Sequence, residues 1–168
     1  MRQRPLGTTG LAVSEIGFGC GPTAGLMIEG SAAERRGAVR DALACGITYF
    51  DTAPVYGSGQ SERRIGAFKD QSGVLVATKL GRGPEFEGMT RYTKARVRDS
   101  LTGSIQRLGV EALGLAQLHC VPIEVLRDGE VFTWLDDMEK DGLIRHWGAS
   151  VQTVEEGMLA LRADSCAS

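Results

Sequence analysis

Apolar residues are spaced along this chain in two alternating rhythms. Short, nearly unbroken apolar runs occupy residues 15–19 (EIGFG), 47–50 (ITYF), 74–79 (VLVATK), 113–119 (LGLAQLH) and 144–149 (IRHWGA). None alternates cleanly between apolar and polar positions, the pattern expected of parallel strands covered on both faces. Between these runs the apolar positions recur at helical spacing. Ser31 and Glu34 are placed for a capping box, and Gly46 suits the position after that helix. Val97, Leu101, Ile105 and Leu108 share one helical face that stops at Gly109. Asp128 is placed to cap a helix with Val131, Leu135 and Met138 inward, ended by Gly142. Thr153 and Glu156 offer another capping box, with Val154, Met158 and Leu161 predicted on the buried side. The residues before Gly17 read as a small hairpin turning at Gly7–Gly10. After Leu161 comes RADSCAS, in which no sixth strand is predicted.

Strand, helix, strand, helix is the signature of βα repetition around a parallel sheet, hence an α/β fold. No linker or shift of composition divides the 168 residues, and that length suffices for one domain with a real core. A formal net charge of −2 gives no basic field, so neither nucleic acid nor an anionic membrane is expected as partner. No apolar run approaches the roughly 20 residues of a membrane span, and no apolar stretch follows MRQR to make a signal peptide. Cys20, Cys45, Cys120 and Cys166 are widely spaced and form no C-x-x-C. They read as reduced thiols of a cytoplasmic protein.

Functional groups of parallel α/β proteins gather at the carboxyl ends of strands. Asp51 follows the second apolar run, Lys79 ends the third, His119 ends the fourth, and Tyr56 sits in the loop YFDTAPVYGSGQSE that leaves the second. Each alone has an ordinary reading. An aspartate in a turn bonds nearby backbone, a lysine at a strand end is solvated, a lone histidine is satisfied or exposed, and a tyrosine covers a loop. Together they make a device. A phenol has a reference pKa near 10. A nearby ammonium stabilises the phenolate and lowers that value. A carboxylate keeps the ammonium charged and aimed, and an imidazole orients a carbonyl oxygen. Such a set protonates a carbonyl. None of the four carries a hydride, so a cofactor is implied.

Five stretches carry a resemblance: LGTTGLAVSEIGFG, YFDTAPVYGSGQSERRIGAF, VATKLG, DSLTGSIQRLGVEALGLAQLHC and DGLIRHWGASV. On these the chain resembles the aldo-keto reductase family over essentially its whole length. The resemblance implies a (β/α)8 TIM-barrel fold and NADPH-dependent reduction of aldehydes or ketones, with a small-molecule carbonyl as substrate. It places the family's catalytic tyrosine on Tyr56, its aspartate on Asp51, its lysine on Lys79 and its histidine on His119. It also implies cofactor contacts from Asp51, from Ser150 in GASV, and from Cys20 in GFGC, where many members have threonine. The family often has asparagine after the serine; here it is Val151. Cys20 also reads as a small buried filler.

Other constellations weigh less. Cys20, His119 and Cys120 could meet at a barrel mouth, but neighbouring strand residues face opposite ways, so His119 and Cys120 do not readily share a metal ion. Trp134 and Trp147 read as core or pocket wall, and Arg63, Arg64, Arg96 and Arg98 as solvated helix faces. A complete barrel takes eight βα units and about 250 residues. This chain supplies about five units, so residues 1–168 are expected to be the N-terminal portion of a barrel, with a hairpin in front and exposed sheet edges. Self-association, or pairing with a C-terminal half, is the expected consequence. A truncated product, a partial gene and half of an assembly all fit. The leading functional reading is an aldo-keto reductase or a fragment of one. The alternatives are an NADPH-sensing regulatory or scaffold protein on the same fold, and an inactive remnant.

Overall fold

The N-terminal hairpin forms as its turn residues predict. β1 (Gln3–Pro5) and β2 (Ala12–Ser14) pair antiparallel, with Arg4 opposite Val13. These and the elements below belong to a computed structural model that describes residues 1–69, 73–83, 86 and 92–168. Ser14 anchors the hairpin to the sheet: its Oγ accepts from the Thr48 amide at 3.0 Å and donates to the Ile16 carbonyl at 2.7 Å.

Five parallel strands follow in sequential order: β3 (Gly17–Gly19), β4 (Tyr49–Asp51), β5 (Leu75–Leu80), β6 (Leu115–His119) and β7 (Trp147–Ser150). Helices cross between them. These are α1 (Leu26–Glu29) and α2 (Ala32–Ala44), then α3 (Gln60–Ile65) with a 3-10 turn at Gly66–Phe68, then α4 (Lys94–Leu108), α5 (Ile123–Asp128), α6 (Glu130–Lys140) and α7 (Val154–Ala160). The result is a sheet of five parallel strands behind a hairpin, as the apolar rhythm predicts.

Register divides the sheet into two faces, because alternate strand residues point opposite ways. Thr78, Ala116 and Trp147 lie in register on the helix side. There Trp147 is fully buried, stacks on Phe132 at 5.5 Å and donates Nε1–H to Asp136 at 2.9 Å. Trp147 is therefore core, as expected. On the inner face the register lines up Asp51 with Ala77, Lys79 with Gln117, and His119 with Ser150. The chemistry-bearing residues thus share one face.

The helices show which periodicity arguments hold. Both capping boxes form, at Ser31/Glu34 and at Thr153/Glu156. In α4, Val97, Leu101 and Leu108 are buried, with Ile105 packed against them, and Gly109 closes the helix in the left-handed region at φ 67°. Asp128 does not cap α6. It ends α5, an extra helix, and Gly129 at φ 81° serves both as the end of α5 and as the start of α6. One residue cannot belong to the last turn of one helix and cap the next, so the junction falls to a glycine that tolerates positive φ. Arg98 is not merely solvated, since it pairs with Asp141 at 2.7 Å.

Two expectations fail at the carboxyl end of the chain. Val154, Met158 and Leu161 are not buried: they are 84%, 60% and 64% exposed. Helix α7 packs instead through Leu159 and Ala160. Periodicity identifies an apolar face but not whether a neighbour covers it. The tail also pairs with the sheet, against expectation. Cys166 bridges Trp147 in parallel, the Ala167 amide donates to the Trp147 carbonyl at 2.8 Å, and the Ala149 amide donates to Ser168 at 2.7 Å. Residues 166–168 thus lie along β7 through one isolated parallel bridge and its flanking backbone hydrogen bonds, while the sheet itself has five strands. The buried side of α7 and the exposed leucine that follows it should therefore respond differently to substitution. Leu159→Ala is expected to cost about 2–5 kcal/mol, the usual range for a buried leucine. Leu161→Lys should stay within about 0.5 kcal/mol, as exposed positions do. Urea unfolding of the two variants checks this, and equal losses would refute the packing described for α7.

Candidate active site

Asp51 is the last residue of β4, and the backbone around it is held on both sides. The Cys20 amide donates to its carbonyl at 2.8 Å, and the next amide, Thr52, donates to Ala77 at 2.9 Å. The chain then turns sharply. The Tyr56 amide donates to Ala53 at 3.1 Å, and Gly57, Ser58 and Gly59 all take positive φ before α3 begins. Ser58, at φ 53°, has a side chain where left-handed geometry is uncommon, a local cost borne by this loop. The turn brings the Tyr56 ring against Gly21, where a Cβ would stand only 3.3 Å from the ring.

Lys79 is 5% exposed and reaches across from β5. Its Nζ donates to Asp51 Oδ1 at 2.5 Å and to the Thr52 carbonyl at 3.0 Å. The same ammonium lies 5.1 Å from the centre of the Tyr56 ring, within range of a cation–π contact. His119, on β6, meets the Tyr56 ring edge-on at 6.0 Å between centroids. All four residues singled out in the sequence thus come together at the carboxyl ends of β4, β5 and β6.

The electrostatics of the site follow from this crowding. Burial, then the Lys79 and Arg82 charges, push the His119 imidazole down to about 4, so it is neutral at pH 7. Arg82 Nη1 stands 3.4 Å from His119 Nε2. With Arg82 donating to Nε2, the neutral ring carries its proton on Nδ1, a buried atom with no hydrogen-bond partner among the described residues. Burial also pushes the Cys20 thiol up to about 12, reinforced by Asp51 and opposed by Lys79. Cys20 is fully buried, with Sγ 3.7 Å from the Phe18 carbonyl. It meets its neighbours through its backbone, its amide on Asp51 and its carbonyl accepting from Ser61 Oγ at 2.9 Å. Ser150 lies beside His119 in register, and its carbonyl accepts the Cys120 amide at 2.8 Å.

Sequence reasoning missed three participants. Arg82 comes from the loop after β5, and no periodicity marks it. Gln117 Oε1 is buried on the inner face without a partner among the described residues. Behind the site, Glu62 is fully buried, accepting from Thr78 Oγ1 at 2.6 Å and from Arg107 Nε at 2.5 Å. Glu62 lies inside the quoted motif, but only burial shows its role as a structural acid.

The aldo/keto reductase family model matches residues 15–166. The chain belongs to the aldo/keto reductase family. L-galactose dehydrogenase of Arabidopsis thaliana is 37% identical over 127 residues, spanning 72% of this chain and 38% of the plant protein. Among solved structures, the holo form of the aldo-keto reductase AKR11C1 from Bacillus halodurans superposes with a TM-score of 0.75 at 31% identity, covering 90% of this chain and 50% of that one. A Klebsiella pneumoniae aldo-keto reductase solved in complex with NADPH gives a TM-score of 0.75 at 23% identity, with 99% of this chain and 57% of that one covered. At that identity the likeness speaks for the fold alone. The chain spans about half the length or less of the curated relatives it matches, from 38% to 49%.

The acidity of His119 yields a stability prediction for this family member. Its folded value, about 4, lies below the ordinary 6.5. Between those two values the unfolded chain takes up a proton that the folded chain refuses, so stability falls as pH drops through the window and is fully present above 6.5. Urea midpoints measured from pH 7 to pH 4 should decline, and less steeply in His119→Gln. An unchanged slope in that variant would clear His119 of the effect.

Proposed function

We propose that this chain carries the proton-transfer side of an NADPH-dependent reductase acting on small aldehydes or ketones, and that residues 1–168 form the N-terminal portion of its barrel. The observation that carries the reading is the linkage of Asp51, Lys79 and the Tyr56 ring, with the His119 imidazole against it. A regulatory protein that only senses cofactor needs no buried ammonium set over a tyrosine ring, so the intact set favours catalysis.

The inner face suits a nicotinamide. A carboxamide needs both a donor and an acceptor, and Ser150 and Gln117 supply one of each on neighbouring strands. Gln117 Oε1 is buried without a partner among the described residues, which leaves it available. Bound there, the reduced cofactor would supply hydride to the carbonyl carbon.

The chain's own residues perform the remaining work. Tyr56 donates its phenolic proton to the carbonyl oxygen. The Lys79 ammonium stabilises the phenolate left behind, because an opposite charge nearby favours the ionised form. Asp51 and the Thr52 carbonyl hold Lys79 in place. His119, neutral and set against the Tyr56 ring, orients the carbonyl from beside the phenol. In the reverse direction Tyr56 accepts the proton of an alcohol.

The test is NADPH-dependent turnover of 4-nitrobenzaldehyde by the full-length protein, followed as loss of absorbance from the reduced cofactor. Turnover supports the proposal. Cofactor binding without turnover on a panel of aldehydes and ketones would overturn it in favour of a regulatory role.

A further inference from the structure

The outer layer carries a concentration of charge unrelated to the reductase site. An open cleft of about 370 Å³ lies between α2 and the segment formed by α3 and its 3-10 turn. Arg35 and Arg36 line it from one side and Arg63 and Arg64 from the other, over an apolar floor that includes Phe68. On a protein of net charge −2, four guanidinium groups around one concavity are a marked local excess.

Among the described residues none of these four forms an ion pair with a carboxylate, although Glu34, acidified first by its hydrogen bonds with Ser31, lies near enough to Arg35 to be acidified by its charge as well. Ion pairs among the described residues engage Arg2, Arg4, Arg40, Arg98, Arg107 and Arg127, but none of these four. Arg64 Nη1 donates to the Met27 carbonyl at 2.8 Å and to the Ile28 carbonyl, and Arg35 Nη1 donates to the Gly30 carbonyl. Arg64 is thus fixed in place instead of waving in solvent, as the sequence reading had it. Carbonyl contacts position these groups without neutralising them. Among the described residues, Arg63 donates to the Ser58 carbonyl, at 3.4 Å, and Arg36 is left without a hydrogen bond or ion pair. Glu34, next to Arg35 in the chain, is committed to the Ser31 amide at 2.8 Å.

A cleft lined by one sign of charge focuses its field on a counter-ion. The planar fork of arginine matches phosphate oxygens two at a time. Two forks held by backbone and two left open describe a preformed cradle. We propose that this cleft binds a soluble phosphoanion carrying at least two negative charges. The inference stands apart from the reductase reading, since the cleft lies on the helix layer and not on the inner face of the sheet.

The experiment titrates inorganic pyrophosphate into the 15N-labelled chain and follows amide resonances. Shifts centred on Ala32, Arg36, Ala67 and Phe68 are expected. Arg36→Ala with Arg63→Ala removes the two open forks and leaves the carbonyl-bound pair intact, so the fold should persist. Each charge-assisted contact is worth about tenfold in affinity, so the double variant should weaken binding on the order of 10²-fold. Arg2→Ala with Arg4→Ala removes the same charge from the hairpin and should leave binding unchanged. Equal weakening in both doubles would reduce the effect to net charge and overturn the site. Shifts centred instead on Cys20, Asp51 and Ser150 would place the anion at the sheet's inner face and overturn it as well.

Discussion

Replacing Glu62 with alanine is expected to destabilise the fold by about 3–5 kcal/mol, the cost of breaking a buried ion pair from one side. Glu62 is fully buried, and the Arg107 side chain that pairs with it is only 23% exposed. Removing the carboxylate leaves that guanidinium with the Ser104 hydroxyl, at 3.1 Å, as its remaining side-chain partner. It also leaves the Thr78 hydroxyl without an acceptor in a place water does not reach. Glu62→Gln keeps the volume and the Thr78 contact and should lose less, about 1.5–3 kcal/mol for a charged hydrogen bond. Replacing Glu62 and Arg107 together by leucine and methionine removes both charges and should recover most of the loss, because apolar replacement of a whole buried pair is often close to neutral. Urea unfolding of the three variants measures the series. A Glu62→Ala loss below about 1 kcal/mol would show that water or another group compensates the arginine, and the account of this network would not stand.

The network matters beyond stability because it grips both strands of the site. Thr78, bound by Glu62, immediately precedes Lys79. Ser61, next to Glu62 on α3, lies 2.8 Å from the Thr52 hydroxyl and donates to the Cys20 carbonyl. Thr52 in turn supplies the carbonyl that receives Lys79 Nζ. The dipeptide Ser61–Glu62 therefore clamps the segments carrying Asp51 and Lys79 from behind, on the helix side, while the ionisable groups meet on the inner side.

The positions of Asp51, Tyr56, Lys79 and His119 were legible because parallel strands deliver residues to one end, and because the motifs that carry them resemble those of the family. Their detailed electrostatics were not. The neutral state of His119 owes most to burial, then to Lys79, and last to Arg82, which reaches it from a loop with no periodic signature. Helix positions followed from spacing and capping residues, yet spacing alone does not say what covers a face. Val154, Met158 and Leu161 share an apolar stripe as regular as that of α4, and only the absence of a described neighbour distinguishes them. Asp128 misled for a related reason. A capping residue and the last residue of a helix look alike when a short unpredicted helix, α5, comes directly before. The tail RADSCAS lacks the apolar run of a buried strand, and its pairing with β7 runs through backbone groups that composition does not reveal.

Tyr56→Phe is expected to lower kcat/KM for aldehyde reduction by about 10²- to 10⁴-fold, the span assigned to general acid catalysis. The substitution removes one oxygen. The phenyl ring can still lie over Gly21, keep its edge toward His119 and present its face to the Lys79 ammonium. Packing and charge arrangement are thus preserved, and NADPH affinity in the full-length protein should change little. A loss made only in the transition state lowers kcat and kcat/KM together and leaves KM nearly unchanged. Lys79→Met provides the companion result. With the ammonium gone, Asp51 loses its partner and the positive charge facing the Tyr56 ring is missing. Turnover should therefore fall. Both variants are assayed with 4-nitrobenzaldehyde as substrate, alongside NADPH binding by fluorescence. Unchanged turnover in Tyr56→Phe would remove the phenol from the reaction. Reduced turnover that is fully explained by weaker NADPH binding would turn Tyr56 into a binding residue, and proton delivery would then have to come from His119 or from water.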